Sequence, residues 1–209
     1  MNWKKKFLKN YNIYIILDTN LLSDKKILEL ARVCKDRADF VQLRAKNRNI
    51  KEVYALSKKI KKILETSNTC FIINDFLSIA KDLECGLHIG KKDVELKEAL
   101  RKLNKNSILG YTCHTFKEIK FCNDFNIDYI SFGPVFKTPI KNLRPRGVKR
   151  LIKAIDLSIH PVFAIGGITL KNLEVLTENK IRYIVILSEF CRSERPEKFL
   201  NDLKKKLTS

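Results

Sequence analysis

The sequence predicts a single-domain α/β protein, a (β/α)8 TIM barrel, and three observations lead there. Eight short runs are almost continuously apolar and rich in β-branched and aromatic residues, as strands buried on both faces of a parallel sheet are. Amphipathic segments at helical spacing separate them. The polar residues with the most chemistry to offer fall at the C-terminal ends of those runs, where barrels carry their sites. The 209 residues suffice for one such domain spanning 1–209, with about 11 residues ahead of the first strand. A doubly wound open sheet is the alternative. It usually has fewer strands and a glycine-rich first turn, and no GxGxxG occurs here.

Taken in order, the first predicted strand covers Asn12–Leu17. A helix over Asp24–Cys34 follows, with Ile27, Leu28, Leu30, Ala31 and Cys34 on its apolar side. The second strand, Asp39–Arg44, leads to a lysine-rich helix over Ile50–Leu64 that keeps Val53, Leu56, Ile60 and Leu64 on one face. The third strand is Thr69–Asn74. The connection after it, around Phe76–Leu83, is the shortest and least periodic. Strand four is Gly86–Ile89, with a helix over Val94–Leu103. Strand five is Ser107–Tyr111, with a helix over Phe116–Phe125. Tyr129–Phe132, Pro161–Ile165 and Arg182–Leu187 complete the strands. Helices over Val148–Ile155, Leu170–Leu176 and Pro196–Leu207 follow them in turn.

Composition narrows the function. Forty-two basic and 23 acidic residues give a net charge of +19, which would attract nucleic acid or an anionic membrane. Lysines outnumber arginines 31 to 11 and are spread along the whole chain, which fits solvated helix faces better than a recognition footprint. The charge still favours anionic substrates. Neither nucleic acid nor a membrane is expected as a partner, and a homo-oligomer is left open. No apolar stretch approaches a membrane span, and the basic start Met1–Phe7 lacks the apolar core of a signal peptide, so a cytoplasmic protein is expected. The cysteines, six in all, form no CxxC pair and mostly sit in apolar runs. They read as small buried hydrophobes, and no spacing supports a zinc site.

The strand ends carry the candidate site. In Val41-Gln-Leu-Arg-Ala-Lys46, period-two alternation puts Gln42, Arg44 and Lys46 on one face, where Arg can clamp phosphate oxygens and Lys adds a point charge. Asp75 and Asp93 end neighbouring runs. They suit Mg2+ shared with a phosphorylated ligand, or each caps the helix that follows. His88 reads as packing or a substrate contact. His114, with Thr112 in a polar loop, is a candidate acid or base. The segment Gly133–Gly147 is long and basic. As a lid it would bring Thr138, Lys141, Arg144 and Arg146 over a pyrophosphate. Ile165-Gly-Gly-Ile168 and Leu187-Ser188 follow strands seven and eight, where barrels often hold phosphate on backbone N–H groups.

In order, Tyr14–Asp18, Val41–Lys46, Ile73–Asp75, Leu87–Asp93, Gly110–His114, Phe132–Phe136 with Thr138 and Lys141, Ile165–Ile168 and Leu187-Ser188 resemble the thiamine phosphate synthase family over about nine-tenths of the chain. The resemblance implies a transferase that couples hydroxymethylpyrimidine pyrophosphate to a thiazole phosphate, with Mg2+ as cofactor and these small molecules as substrates. Pyrophosphate is released, with CO2 as well when the thiazole is carboxylated. It implies Gln42, Asn74, His88, Gly90 and Thr112 around the pyrimidine, and Arg44, Lys46 and Lys141 on the pyrophosphate. It further implies Asp75 and Asp93 on the metal, and Gly167, Leu187 and Ser188 on the thiazole phosphate. The sequence departs from the family at Ile140, where a hydroxyl residue is usual, and at Glu189, where a small residue is usual. A sister group, the thiazole tautomerases, shares the barrel and a histidine matching His114, and Arg146-Gly-Val148 looks like that group. A ligand-binding regulatory barrel is the reading from another class.

Overall fold

The computed structural model describes residues 7, 10–138 and 144–208. Strands β1 (Asn12–Asp18), β2 (Phe40–Arg44), β3 (Cys70–Asn74), β4 (Gly86–Ile89), β5 (Leu109–Cys113), β6 (Tyr129–Phe132), β7 (Val162–Ile165) and β8 (Tyr183–Ile186) close into a barrel in sequence order. Every pair is parallel, including β8 on β1, where Ile13 faces Ile184. Outside run α1 (Asp24–Cys34), α2 (Ile50–Leu64), α3 (Leu77–Asp82), α4 (Leu96–Lys102), α5 (Phe116–Asn123), α6 (Gly147–Leu157), α7 (Leu173–Glu178), α8 (Ser188–Cys191) and α9 (Pro196–Thr208). The (β/α)8 barrel expected from the sequence is therefore the observed fold.

Local signals account for where the long helices start. Ser23 accepts from Lys26 N at 3.3 Å ahead of α1, and Asn49 accepts from Glu52 N at 3.0 Å ahead of α2. Thr115 and Glu118 form a reciprocal capping box at α5. Several expectations shift, among them helix α7, which runs Leu173–Glu178 rather than Leu170–Leu176. Strand β5 lies two residues later than its run suggests, because pairing of Thr112 with Ser131 and of Cys113 with Phe132 carries it to Cys113. Thr112 is thus a strand residue, not a loop residue. Strand β8 stops at Ile186, and the short helix α8, not foreseen, begins at Ser188. Helix α4 starts at Leu96 rather than Val94.

Alternation along the strands builds two cores. Ile13, Ile15, Leu17, Val41 and Leu43 point outward into the layer beneath the helices. Tyr14, Ile16, Phe40, Ile72, Tyr129 and Phe163 point inward and fill the barrel. The rings of Tyr129 and Phe163 meet edge-on at 5.1 Å, and those of Tyr14 and Phe163 at 5.6 Å. Phe7 closes the lower end against Phe40, with ring centres 5.5 Å apart. All six cysteines are buried free thiols, as expected.

Tyr129 crosses the barrel only because β5 yields space to it. A Cβ on Gly110 would lie 2.0 Å from Tyr129 Cζ. Gly110→Ala is therefore expected to lower stability by at least the ~1–3 kcal/mol typical of an overpacked core, read from urea unfolding.

Candidate active site

The C-terminal ends of the strands open into a cavity of about 1100 Å³, ample for two small ligands together. Gln42, Arg44, Lys46, Asn74, Asp75, His88, Gly90, Asp93, Thr112, His114, Thr138, Gly167, Leu187 and Ser188 all line it. These residues therefore converge on this space. Lys141 lies outside the described residues, as does Ile140. Arg144 and Arg146, expected over a pyrophosphate, do not line the cavity, and Arg146 Nε instead donates to Gly133 O at 3.1 Å.

Its cationic wall is made of ion pairs. Arg44 Nη1 meets Asp18 Oδ2 at 2.5 Å, with the Asp18 side chain 1% exposed and Arg44 15%. The other Asp18 oxygen accepts from Asn20 N at 2.9 Å. Next to this pair, Lys46 Nζ lies 3.0 Å from Asp75 Oδ2. Asp75 has a left-handed backbone, φ 68°, and its N–H bonds to His88 O at 2.9 Å, which turns its carboxyl over the rim. Asp93 Oδ2 accepts from Gly90 N at 2.7 Å. Neither aspartate caps a helix. Phe76 and Glu95 occupy the positions before α3 and α4, so the capping alternative falls.

The carboxyls of Asp75 and Asp93 lie close enough to act on each other. Burial first, then the Asp93 carboxyl beside it, raises the Asp75 carboxyl to about 6 against the opposing pull of Lys46. No group of three or more His, Cys, Asp or Glu gathers among the described residues. A metal here would take two protein carboxylates and complete its shell from phosphate and water, a mode that suits Mg2+. Two crowded carboxyls with a partly retained proton fit such an ion.

Beneath the rim a hydrogen-bonded line crosses the barrel. Gln42 Nε2 lies 2.7 Å from Tyr14 Oη, which lies 2.8 Å from Tyr129 Oη. Tyr129 Oη lies 2.8 Å from His88 Nδ1, and His88 Nε2 lies 2.7 Å from Thr112 Oγ1. Ser131 Oγ donates to Thr112 Oγ1 at 3.3 Å. Asn74 Nδ2 is buried with no hydrogen-bond partner, a donor suited to a ligand acceptor. His114 Nδ1 bonds to Gly133 O at 2.8 Å, so Nδ1 carries a hydrogen, and in the neutral ring the lone pair is on Nε2.

The opposite wall packs tightly. Gly166 and Gly167 have φ of 98° and 68°, and a Cβ on Gly167 would lie 2.3 Å from Lys137 O. The glycine pair is thus demanded by its conformation and by the segment after β6, whatever it binds. Glu189 turns its carboxyl onto Leu170 N at 3.0 Å, which ties α8 to the loop after β7.

Sequence reasoning missed Asp18, Tyr14, Tyr129 and Ser131, although inward alternation marks the last three. It also missed Lys91, Lys92, Lys171 and Arg192, which line the cavity. Arg192 caps the C-terminal end of α8, a helix the sequence does not reveal, so no local signal marks it.

Fold and site define a class, a (β/α)8 barrel with a cationic, carboxylate-bearing mouth. A family model described as thiamine monophosphate synthase matches residues 13–190, and the chain belongs to that family. The thiamine-phosphate synthase of Persephonella marina is 32% identical over 186 residues, 88% of this chain and 89% of that one. That of Pelagibacter ubique is 35% identical, covering 87% of each. Among solved structures, the thiamine phosphate pyrophosphorylase of Pyrococcus furiosus superposes with a TM-score of 0.84 at 23% identity, covering 95% of this chain and 96% of that one. The 3-hexulose-6-phosphate synthase of Salmonella typhimurium reaches 0.74 at 11% identity, covering 94% and 98%, a likeness of fold alone.

The carboxyl pair has a measurable signature. Asp75 is expected to titrate near 6 in carboxyl 13C spectra, and Asp93→Asn should move it down toward the ordinary range. Its folded value exceeds the unfolded 3.8, so ionising it opposes folding. This group's contribution to stability therefore falls as pH rises through that interval, and Asp93→Asn should flatten the slope.

Proposed function

We propose that this chain is a magnesium-dependent thiamine-phosphate synthase that joins hydroxymethylpyrimidine pyrophosphate to a thiazole phosphate. One observation carries the reading. Arg44 and Lys46 stand beside the crowded carboxyls of Asp75 and Asp93 on the rim of a cavity large enough for both substrates. Cations beside a pair of carboxylates suit a pyrophosphate and its metal, and suit a neutral ligand poorly.

In this reading Gln42, Asn74, His88, Gly90 and Thr112 hold the pyrimidine, and the unpartnered Asn74 amide supports that assignment. Gly167, Leu187 and Ser188 hold the thiazole phosphate, with Lys171 and Arg192 adding charge. Asp75 and Asp93 hold Mg2+, which would offset the negative charge that grows on the departing group. The C–O bond between the pyrimidine methylene and pyrophosphate breaks, leaving a stabilised pyrimidine cation. The thiazole nitrogen then donates its lone pair to that carbon. Arg44 and Lys46 stabilise the charge that accumulates on the leaving oxygens. Lys141 is assigned to the same task on family resemblance alone. Thr138 closes the cavity from the β6 side. A second reading, thiazole tautomerase, is favoured by His114, whose Nε2 lone pair could accept a proton.

The test is direct. Purified protein with pyrimidine pyrophosphate, thiazole phosphate and Mg2+ is expected to yield thiamine phosphate and pyrophosphate, and EDTA is expected to stop it. Proton exchange on the thiazole carboxylate without coupling would instead select the tautomerase.

Arg44→Gln is expected to lower kcat/KM by roughly ten- to a hundredfold, the worth of one charge-assisted hydrogen bond. Lys59→Gln, an exposed helix position, serves as the control and should change little at the same ionic strength. Equal losses in the two variants would remove Arg44 from the pyrophosphate site.

A further inference from the structure

The line of contacts from Gln42 to Thr112 has a direction. An amide nitrogen can only donate, so Tyr14 Oη accepts from Gln42 Nε2. A phenol has one hydrogen, and that of Tyr14 is then given to Tyr129 Oη. The hydrogen of Tyr129 goes on to His88 Nδ1, which must be bare to receive it. A neutral imidazole with a bare Nδ1 carries its hydrogen on Nε2, and Nε2 donates to Thr112 Oγ1. Ser131 donates to the same oxygen. The Thr112 hydroxyl thus accepts twice from the protein and has its own hydrogen left for the cavity that it lines. At the other end, Gln42 has spent its nitrogen and has its amide oxygen left.

We propose that Tyr14 and Tyr129 are positioning residues that polarise this relay, hold His88 in its Nε2–H tautomer, and commit the Thr112 hydroxyl to donating to the ligand. The ligand atom at Thr112 is therefore an acceptor. Taken with the proposed reaction, on which this naming of the ligand rests, that atom is a ring nitrogen of the pyrimidine. Neither tyrosine touches substrate. Both phenols are wholly buried in the barrel, and burial raises both above the usual phenol range, so they stay neutral links. Low-dielectric surroundings strengthen each link and polarise the next. His88 in this state is a donor to the protein rather than a proton shuttle.

A reversed relay is physically coherent, which makes the proposal testable. Rotating the Gln42 amide by 180° would turn every hydrogen around, put the proton on His88 Nδ1 and leave Thr112 to accept from the ligand. Long-range 1H–15N spectra of the ligand-free full chain at neutral pH separate the two states. With only three histidines present, His88→Asn identifies the signals. The expected result is a protonated Nε2 and a bare Nδ1 in the wild type, with tautomers mixed in Tyr129→Phe. A protonated Nδ1 in the wild type, or an unmoved ring in Tyr129→Phe, would overturn the proposal. In turnover, Tyr129→Phe is expected to raise KM for the pyrimidine pyrophosphate roughly tenfold, the scale of one hydrogen bond, while leaving KM for the thiazole phosphate unchanged. Equal increases in both would mark Tyr129 as merely structural. Should Tyr129→Phe fail to fold, Tyr14→Phe interrupts the relay one link earlier and takes both measurements. A wild type without synthase turnover would defeat the proposed reaction, and the spectra would still decide the relay.

Discussion

Closure of the sheet, with β8 pairing onto β1 as well as β7, is the constraint from which the rest follows. A closed parallel barrel has no edges, so all eight strands must end on one rim, and whatever side chains finish them are forced into proximity. Closure also encloses a volume that has to be filled. The lower part is filled with rings, Tyr14, Phe40, Tyr129 and Phe163, and Gly110 gives up its side chain so that Tyr129 can cross. Above these rings the inward positions turn polar, and the hydroxyls of Tyr14 and Tyr129 join the two zones. The aromatic core thereby supplies the hydrogen-bonding floor of the site.

Charge at the rim is handled by pairing. Removing one member of a buried ion pair is costly because it strands the other. Asp18 therefore binds Arg44 into place as firmly as it offsets its charge, and because that contact uses Arg44 Nη1 alone, the guanidinium keeps donors for a ligand. Lys46 is shared differently. It partly offsets the crowding of Asp75 and Asp93, which otherwise favours keeping a proton on that pair. A chain with a net charge of +19 thus places carboxylates where its site cations must be aimed. Glu189 follows the same logic on the far wall. Glu189 stands in the cavity lining where the family usually has a small residue, and the bond from Leu170 N anchors its carboxyl.

Much of this was legible before the fold was known. Helices α1 and α2 have the bounds their apolar spacing indicates. Arg44, Lys46, Asp75 and Asp93 could be read because each ends a recognisable run and strand ends share one face in any parallel barrel. Where the reading slipped, pairing had overruled local pattern. Strand β5 follows its hydrogen bonds to β6 rather than its apolar run, which takes Thr112 out of a loop and into the barrel. Helix α8 has four residues, too few to show a period.

The sequence by itself determined the order of the eight strands, the barrel class, the family and the residue types at the rim, because periodicity acts over a few residues. The tertiary structure alone decided which groups became partners. Asp18 and Arg44 are 26 residues apart, His88 and Tyr129 are 41, and Tyr14 and Tyr129 are 115. No local signal links such positions. Their contacts exist because barrel closure brings distant strands across a shared interior, and hydrogen bonding of buried polar groups then settles how they meet.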